Sequence, residues 1–207
     1  MLTDNSVRQF TDHIASQRHA MAGATIAASA AAACSLGEAC LRTPALAPER
    51  SAGASVNVPL VASAAGSALA ERLAGQLAGI RSRLLALTDE DGAAITTFAA
   101  LRAASEALEG QDRLCQMPVE IARLSIEAAC LLQEFRPLIQ VAQDDLEMAI
   151  TLFAGTVRAA TLLLDSNMRL WPEPDLLAKY EPQLAALRAE AGRVKPVERI
   201  RPEPVRP

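Results

Sequence analysis

The sequence predicts an all-α fold, an up-and-down bundle of about five or six helices. Two observations carry that expectation. Hydrophobic residues make up 51% of the chain and aromatics only 3%, with Ala and Leu dominant and β-branched residues sparse, a mix that favours closely packed helices over sheets. Apolar residues also recur every three or four positions through several long segments, the period of an amphipathic helix. At 207 residues the chain is long enough for one core. It is read as a single helical domain over 1–192, with a loop at 42–60, and a Pro- and charge-rich disordered tail over 193–207.

The elements follow in order. Ser6 with Gln9 three residues on forms a capping-box pattern, and Val7, Phe10 and Ile14 continue it as a short amphipathic helix. After a break around His19 to Gly23, the Ala-rich run to about Leu41 reads as a second helix whose small side chains admit a close neighbour. The stretch "RTPALAPERSAGASVNVP" carries three prolines and reads as loop. Leu69, Leu73, Leu77, Ile80, Leu84 and Leu87 then mark the seam of one long helix. The same stepping lands on Asp91 and resumes through Ala94, Phe98, Leu101 and Leu108. Either Asp91 points inward, or Gly92 breaks the helix and "TDEDG" is a solvated turn with Thr88 or Asp89 as N-cap.

Pro118 suits the first turn of the next helix, followed by Ile121, Leu124, Ala128, Leu131 and Phe135, with Pro137 ending or kinking it. The helix from about Ala142 to Trp171 is apolar on nearly every side between Leu146 and Leu164, the mark of a central helix or an oligomer contact. Within it Arg158 is expected to snorkel or to pair with an acid. Leu177, Tyr180, Leu184 and Leu187 outline a last helix after Pro172 and Pro174.

A net charge of −4 and a pI near 5.3 argue against nucleic acid, whose binding needs basic patches. Cys34, Cys40, Cys115 and Cys130 include no C-x-x-C pair, and two histidines are too few to complete a zinc site, so no metal is expected. Isolated thiols suit a reducing cytoplasm. Asp4, Asp12, His13 and Arg18 precede the Ala-rich run and spoil a signal peptide, while Glu38 and the weak hydropathy of Ala argue against a membrane span.

No nucleophile elbow, Walker loop, H-E-x-x-H or G-x-G-x-x-G occurs. The polar groups on or beside apolar stripes, Asp91, Asp145 and Asn167, are the remaining candidates. Each has a structural alternative. Asp91 fits a helix break, and Asp145 with Asp144 fits a first turn that opposes the helix dipole. Asn167 fits a carbonyl bridge near a helix end, with Asp165 and Arg169 as an i, i+4 pair beside it. His13 and His19 read as surface residues.

Four segments taken together, "SVRQFTDHIAS", "IRSRLLALTDEDGAAITTF", "MPVEIARLSIEAACLLQEF" and "DDLEMAITLFAGTVRAATLLLDSN", resemble the methenyltetrahydrofolate cyclohydrolase family, which includes the cyclodeaminase domain of formiminotransferase-cyclodeaminase. The resemblance runs from about Ser6 to Asn167. It implies an all-helical, homodimeric, cyclodeaminase-like protein that binds or acts on a tetrahydrofolate-type (pterin) one-carbon carrier, with no separate cofactor. It also implies roles: Asp145 as the carboxylate that stabilises the cationic bridge and handles the attacking water, Asp91 as the group that orients pterin or water, and Asn167 as a ring hydrogen-bonder. "HAMAGAT", beginning at His19, stands where the family has its Gly-rich ligand loop, which makes His19 and Gly23 substrate-binding candidates. Only Gly23 of the family's "P-x-P-G-G-G" remains there. "LRTPALAPER" replaces a Lys-rich stretch, and Leu163 replaces the first Asn of an N-x-x-x-N pair. The alternative expectation is therefore a catalytically inactive helical homodimer serving as scaffold or regulatory partner.

Overall fold

A computed structural model describes residues 1–17, 19, 21–43, 64–105, 109–139 and 141–200. Among them the secondary structure is helical: α1 (Val7–Ser16), α2 (Ala22–Arg42), α3 (Ala64–Ala104), α4 (Gln111–Phe135), α5 (Gln143–Leu170) and α6 (Pro174–Glu190), with 3-10 turns at Leu2–Asp4 and Ala191–Arg193. The expected capping box is present: Gln9 N–H donates to the Ser6 hydroxyl and Ser6 N–H to the Gln9 side chain. Leu108 and nearly all of the 42–60 loop lie outside the described residues.

Side-chain pairs fix the topology. Glu38 meets Arg81 and Gly23 meets Asp91, so α2 and α3 are antiparallel. Arg83 meets Glu120 and Glu90 meets Arg113, so α3 and α4 are too. Arg136 meets Glu147 and Leu114 meets Asn167, which turns α5 back along α4. The result is an up-down-up-down bundle, as the sequence predicts, with α6 laid beside α4 and α5. Tyr180 OH donates to the Asp112 carbonyl at 2.9 Å and Lys179 pairs with the Asp112 carboxylate at 2.6 Å, pinning α6 to the start of α4.

Helix α2 is the hub, packed against α3, α4 and α5. Its buried face is Ala24, Ala27, Ala30, Ala31, Ala33, Cys34 and Gly37. Small residues let neighbouring backbones close in: a Cβ on Gly37 would sit 3.0 Å from the Leu132 methyls and 3.3 Å from Leu77. Both α2 and α5 are long and apolar enough to cross a membrane, but in the bundle they are core helices, 56% and 50% buried over their most apolar windows. Burial pushes the thiols of Cys34 and Cys115 up to about 12 and of Cys40 to about 11, which removes them as nucleophiles near neutral pH.

Three local readings change. Gly92 does not break α3, which runs on through residue 104 with Asp91 facing inward. Gly92 is instead a seat for the N-terminus: a Cβ there would lie 2.4 Å from Leu2 and 3.0 Å from Met21. Asp89 holds the same segment, accepting from Thr3 N–H at 3.1 Å and Thr3 OH at 2.7 Å. Pro118 lies in the interior of α4, which starts at Gln111. Asp165 pairs with Arg188 of α6 at 3.3 Å in place of Arg169. At the start of the expected 193–207 tail, Lys195 N–H donates to Gln133 at 2.6 Å and Gln133 donates to the Arg193 carbonyl at 2.9 Å, and residues 201–207 lie outside the described residues.

Glu38, 3% exposed, is neutralised by Arg81 at 2.7 Å and by Arg42 at 3.2 Å. Removing the inner partner strands a buried carboxylate, whereas Arg42 is mostly solvated. Chemical denaturation should show Arg81→Ala losing about 1.5–3 kcal/mol and Arg42→Ala less than about 1 kcal/mol.

Candidate functional site

The end of the bundle where α2 starts and α5 finishes holds a cavity of about 750 Å³. Its wall brings together four of the candidates, His19, Gly23, Asp91 and Asn167, with Phe98, Arg102 and Trp171.

Asp91 is 5% exposed and its Oδ2 accepts a 2.7 Å hydrogen bond from Ala24 N–H. Met21, the N-cap of α2, supplies no side-chain cap. Ala24 is the third residue of that helix, so Asp91 reaches across from α3 to satisfy a first-turn amide that an N-cap side chain would otherwise take. Gly23 makes this possible. A Cβ there would fall 2.1 Å from Asp91 Oδ1, so any side chain would displace the carboxylate. Burial raises the Asp91 carboxyl above its usual range, and the Ala24 amide offsets part of the rise.

Asn167 is explained by Pro118. A proline has no N–H, so the Leu114 carbonyl four residues earlier loses its helical donor. Asn167 Nδ2 donates to that carbonyl at 2.8 Å. The amide therefore bridges a carbonyl, as the structural alternative foresaw, while the residue also lines the cavity. His19, expected at the surface, stands in the cavity wall, and its buried Nε2 has no hydrogen-bond partner among the described residues. Phe98 and Trp171 meet edge to face, ring centroids 5.1 Å apart, and make an aromatic wall.

The structure does not bring Asp145 to this cavity. It is exposed in the first turn of α5, close enough to Cys40 to act on its thiol, at the opposite end of the bundle from Asn167. Its position there matches a first-turn residue opposing the helix dipole. Arg158 is exposed, with no acid paired to it among the described residues. No group of three or more His, Cys, Asp or Glu among the described residues is placed to hold a metal.

The fold is cyclodeaminase-like. The crystal structure of formiminotetrahydrofolate cyclodeaminase from Thermotoga maritima is similar to this chain with a TM-score of 0.70 at 18% identity, covering 94% of this chain and 96% of that one. The chain matches no protein-family model and no curated protein by sequence. At that identity the likeness establishes the cyclodeaminase-like bundle, and the site has to be read from its own residues.

Sequence reasoning missed Phe98, Arg102 and Trp171 as site residues. A signal existed for two of them: Phe98 and Arg102 follow Asp91 at helical spacing on one face of α3, so the stripe that exposed Asp91 leads along the cavity wall. Trp171 caps α5 one turn after Asn167, its N–H bonded to the Asn167 carbonyl at 3.1 Å.

Two measurements check these assignments. Asn167→Ala leaves the Leu114 carbonyl without a donor and should cost about 1–3 kcal/mol, but much less in a Pro118→Ala background, where a backbone N–H replaces the lost amide. Equal losses in the two backgrounds, by urea denaturation, would contradict the pairing. For Asp91, the folded state holds the proton more tightly than the unfolded state. Its stabilising contribution is therefore full below the ordinary carboxylate range and is lost as pH rises through the raised folded value. Asp91→Asn should thus gain on the wild type in Tm as pH rises from acid to neutral, and a shrinking difference would count against the raised value.

Proposed function

We propose that the cavity binds a tetrahydrofolate-type pterin, a one-carbon carrier, and acts on its one-carbon bridge. The observation that carries this reading is Asp91: a carboxylate kept in an apolar, part-aromatic cavity at a cost that burial imposes and a single backbone amide only partly offsets. A pterin answers to such a wall. Its flat ring suits Phe98 and Trp171, and its amino-pyrimidinone edge presents N–H donors that a carboxylate accepts in pairs. Arg102, in the same wall and without an acidic partner among the described residues, is placed to receive an anionic tail. The cyclodeaminase-like fold supports the ligand class.

Asp91 on the pterin edge orients the ring, and the methenyl bridge lies at the other end of the ring system. The water-holding role that resemblance gives Asp145 therefore falls to His19, whose buried ring nitrogen is unused among the described residues. Free thiols throughout fit a reducing cytoplasm.

One observation favours the second reading, binding without turnover in a scaffold or regulatory homodimer. The one glycine kept in "HAMAGAT" makes room for Asp91 and not for a ligand backbone contact. Loss of the 5,10-methenyltetrahydrofolate absorbance on mixing with the purified protein separates the two. Turnover in the wild type, reduced at least about 100-fold in Asp91→Asn, establishes the enzyme. Binding with no absorbance loss establishes the scaffold, and neither binding nor loss at high protein concentration rejects both pterin readings.

A further inference from the structure

The N-terminal part of the chain is fastened to α3 twice, both times beside Asp91. Leu2 packs on Gly92, where an added Cβ would lie 2.4 Å from its methyl, and Thr3 gives Asp89 two hydrogen bonds, from its N–H at 3.1 Å and its hydroxyl at 2.7 Å. The chain then returns to the same glycine: Met21, 2% exposed, places its terminal methyl 3.0 Å from that added Cβ. Leu2 and Met21 thus share one spot on α3, and the chain between them is a strap held at both ends.

The middle of the strap is held loosely. No residue of α1 is buried, and Val7 is 81% exposed. A hollow of about 510 Å³ is lined by His13 of α1 together with Leu2, Met21, Asp89, Gly92 and Thr96. A helix of 10 residues is too short to persist in water by propensity alone, so α1 depends on its fastenings.

His19 lies just before the second fastening. Met21 and Gly92 line the hollow, while His19, Gly23 and Asp91 line the cavity on the adjoining side of α3. The Nε2 of His19 is buried without a hydrogen-bond partner among the described residues, so the path of the backbone has to fix the ring. On one side that path is set by Met21, whose carbonyl accepts from Thr25 N–H at 3.1 Å and Thr25 OH at 2.9 Å. On the other it comes from α1, which buries nothing and takes its place from Leu2 and Thr3.

We propose that Leu2 is a positioning residue: by fastening the strap at Gly92 it holds His19 in the cavity wall. Its consequence for turnover rests on the water-holding role proposed for His19. Asp91 keeps its bond to Ala24 whether or not the strap is fastened, so recognition of the pterin edge does not depend on Leu2.

Reaction with diethyl pyrocarbonate, read at each histidine by mass spectrometry, follows the ring without any pterin. In the wild type His19 should react more slowly than the exposed His13. Leu2→Ala should speed His19 about fivefold, the shift expected from losing a half-buried leucine contact, with helical circular dichroism unchanged. Asp89→Ala, which frees Thr3, should act in the same direction, and Leu2→Met should keep the slow rate. With 5,10-methenyltetrahydrofolate, Leu2→Ala should lower kcat about 10–100-fold and leave KM within about twofold of the wild type. A His19 rate unchanged in both Leu2→Ala and Asp89→Ala overturns the inference. So does a faster His19 with kcat unchanged. If the wild type neither binds nor turns over the folate, the reading of the cavity fails, and the His19 rates alone decide whether Leu2 holds the ring.

Discussion

One hydrogen bond, from Ala24 N–H at the start of α2 to the buried Asp91 carboxylate of α3, constrains more of this molecule than any other contact. It closes the otherwise uncapped end of the hub helix and sets the register of α2 against α3. It also decides that residue 23 has no side chain. At the next residue of α3, the side chains of Leu2 and Met21 seat on Gly92. Gly23 is thus a glycine required for a steric reason.

The opposite wall of the cavity rests on a comparable exchange. Pro118 removes a donor from the middle of α4, and Asn167 supplies one from α5. That trade ties the end of α5 to α4 and leaves Trp171 edge to face with Phe98. The cavity is thus bounded by two polar contacts, each made by a side chain of one helix to the backbone of another, and lined elsewhere by apolar and aromatic groups.

The helices were legible because their apolar periodicity is long and regular, and Asp91 was legible as the point where a stripe of leucines met a charge. Gly92 and Pro118 misled for the same reason. Each is a local helix-breaking signal, and tertiary contacts overrule it: Leu2 packs into the space at Gly92, and the Asn167 amide replaces the bond lost at Pro118. Asn167 and Asp91 share a stripe logic in sequence, but their meeting at one cavity depends on the antiparallel pairing of α2 with both α3 and α5, which no local pattern encodes. Asp145 shows the converse. It begins a helix as its sequence suggests, and the length of α5 carries it to the other end of the bundle.

The fold gives the chain a cyclodeaminase-like frame, and the site gives that frame an unusually buried acid. In the proposed function this acid recognises the pterin edge. Trp171, the sole tryptophan, stands in the cavity wall and reports on it directly. Titrating the protein with 5-formyltetrahydrofolate should quench Trp171 fluorescence saturably in the wild type, and Asp91→Asn, still folded, should show the affinity reduced at least about tenfold, the equivalent of about 1.4 kcal/mol. Equal affinity in both proteins, or no quenching in either, would contradict the account.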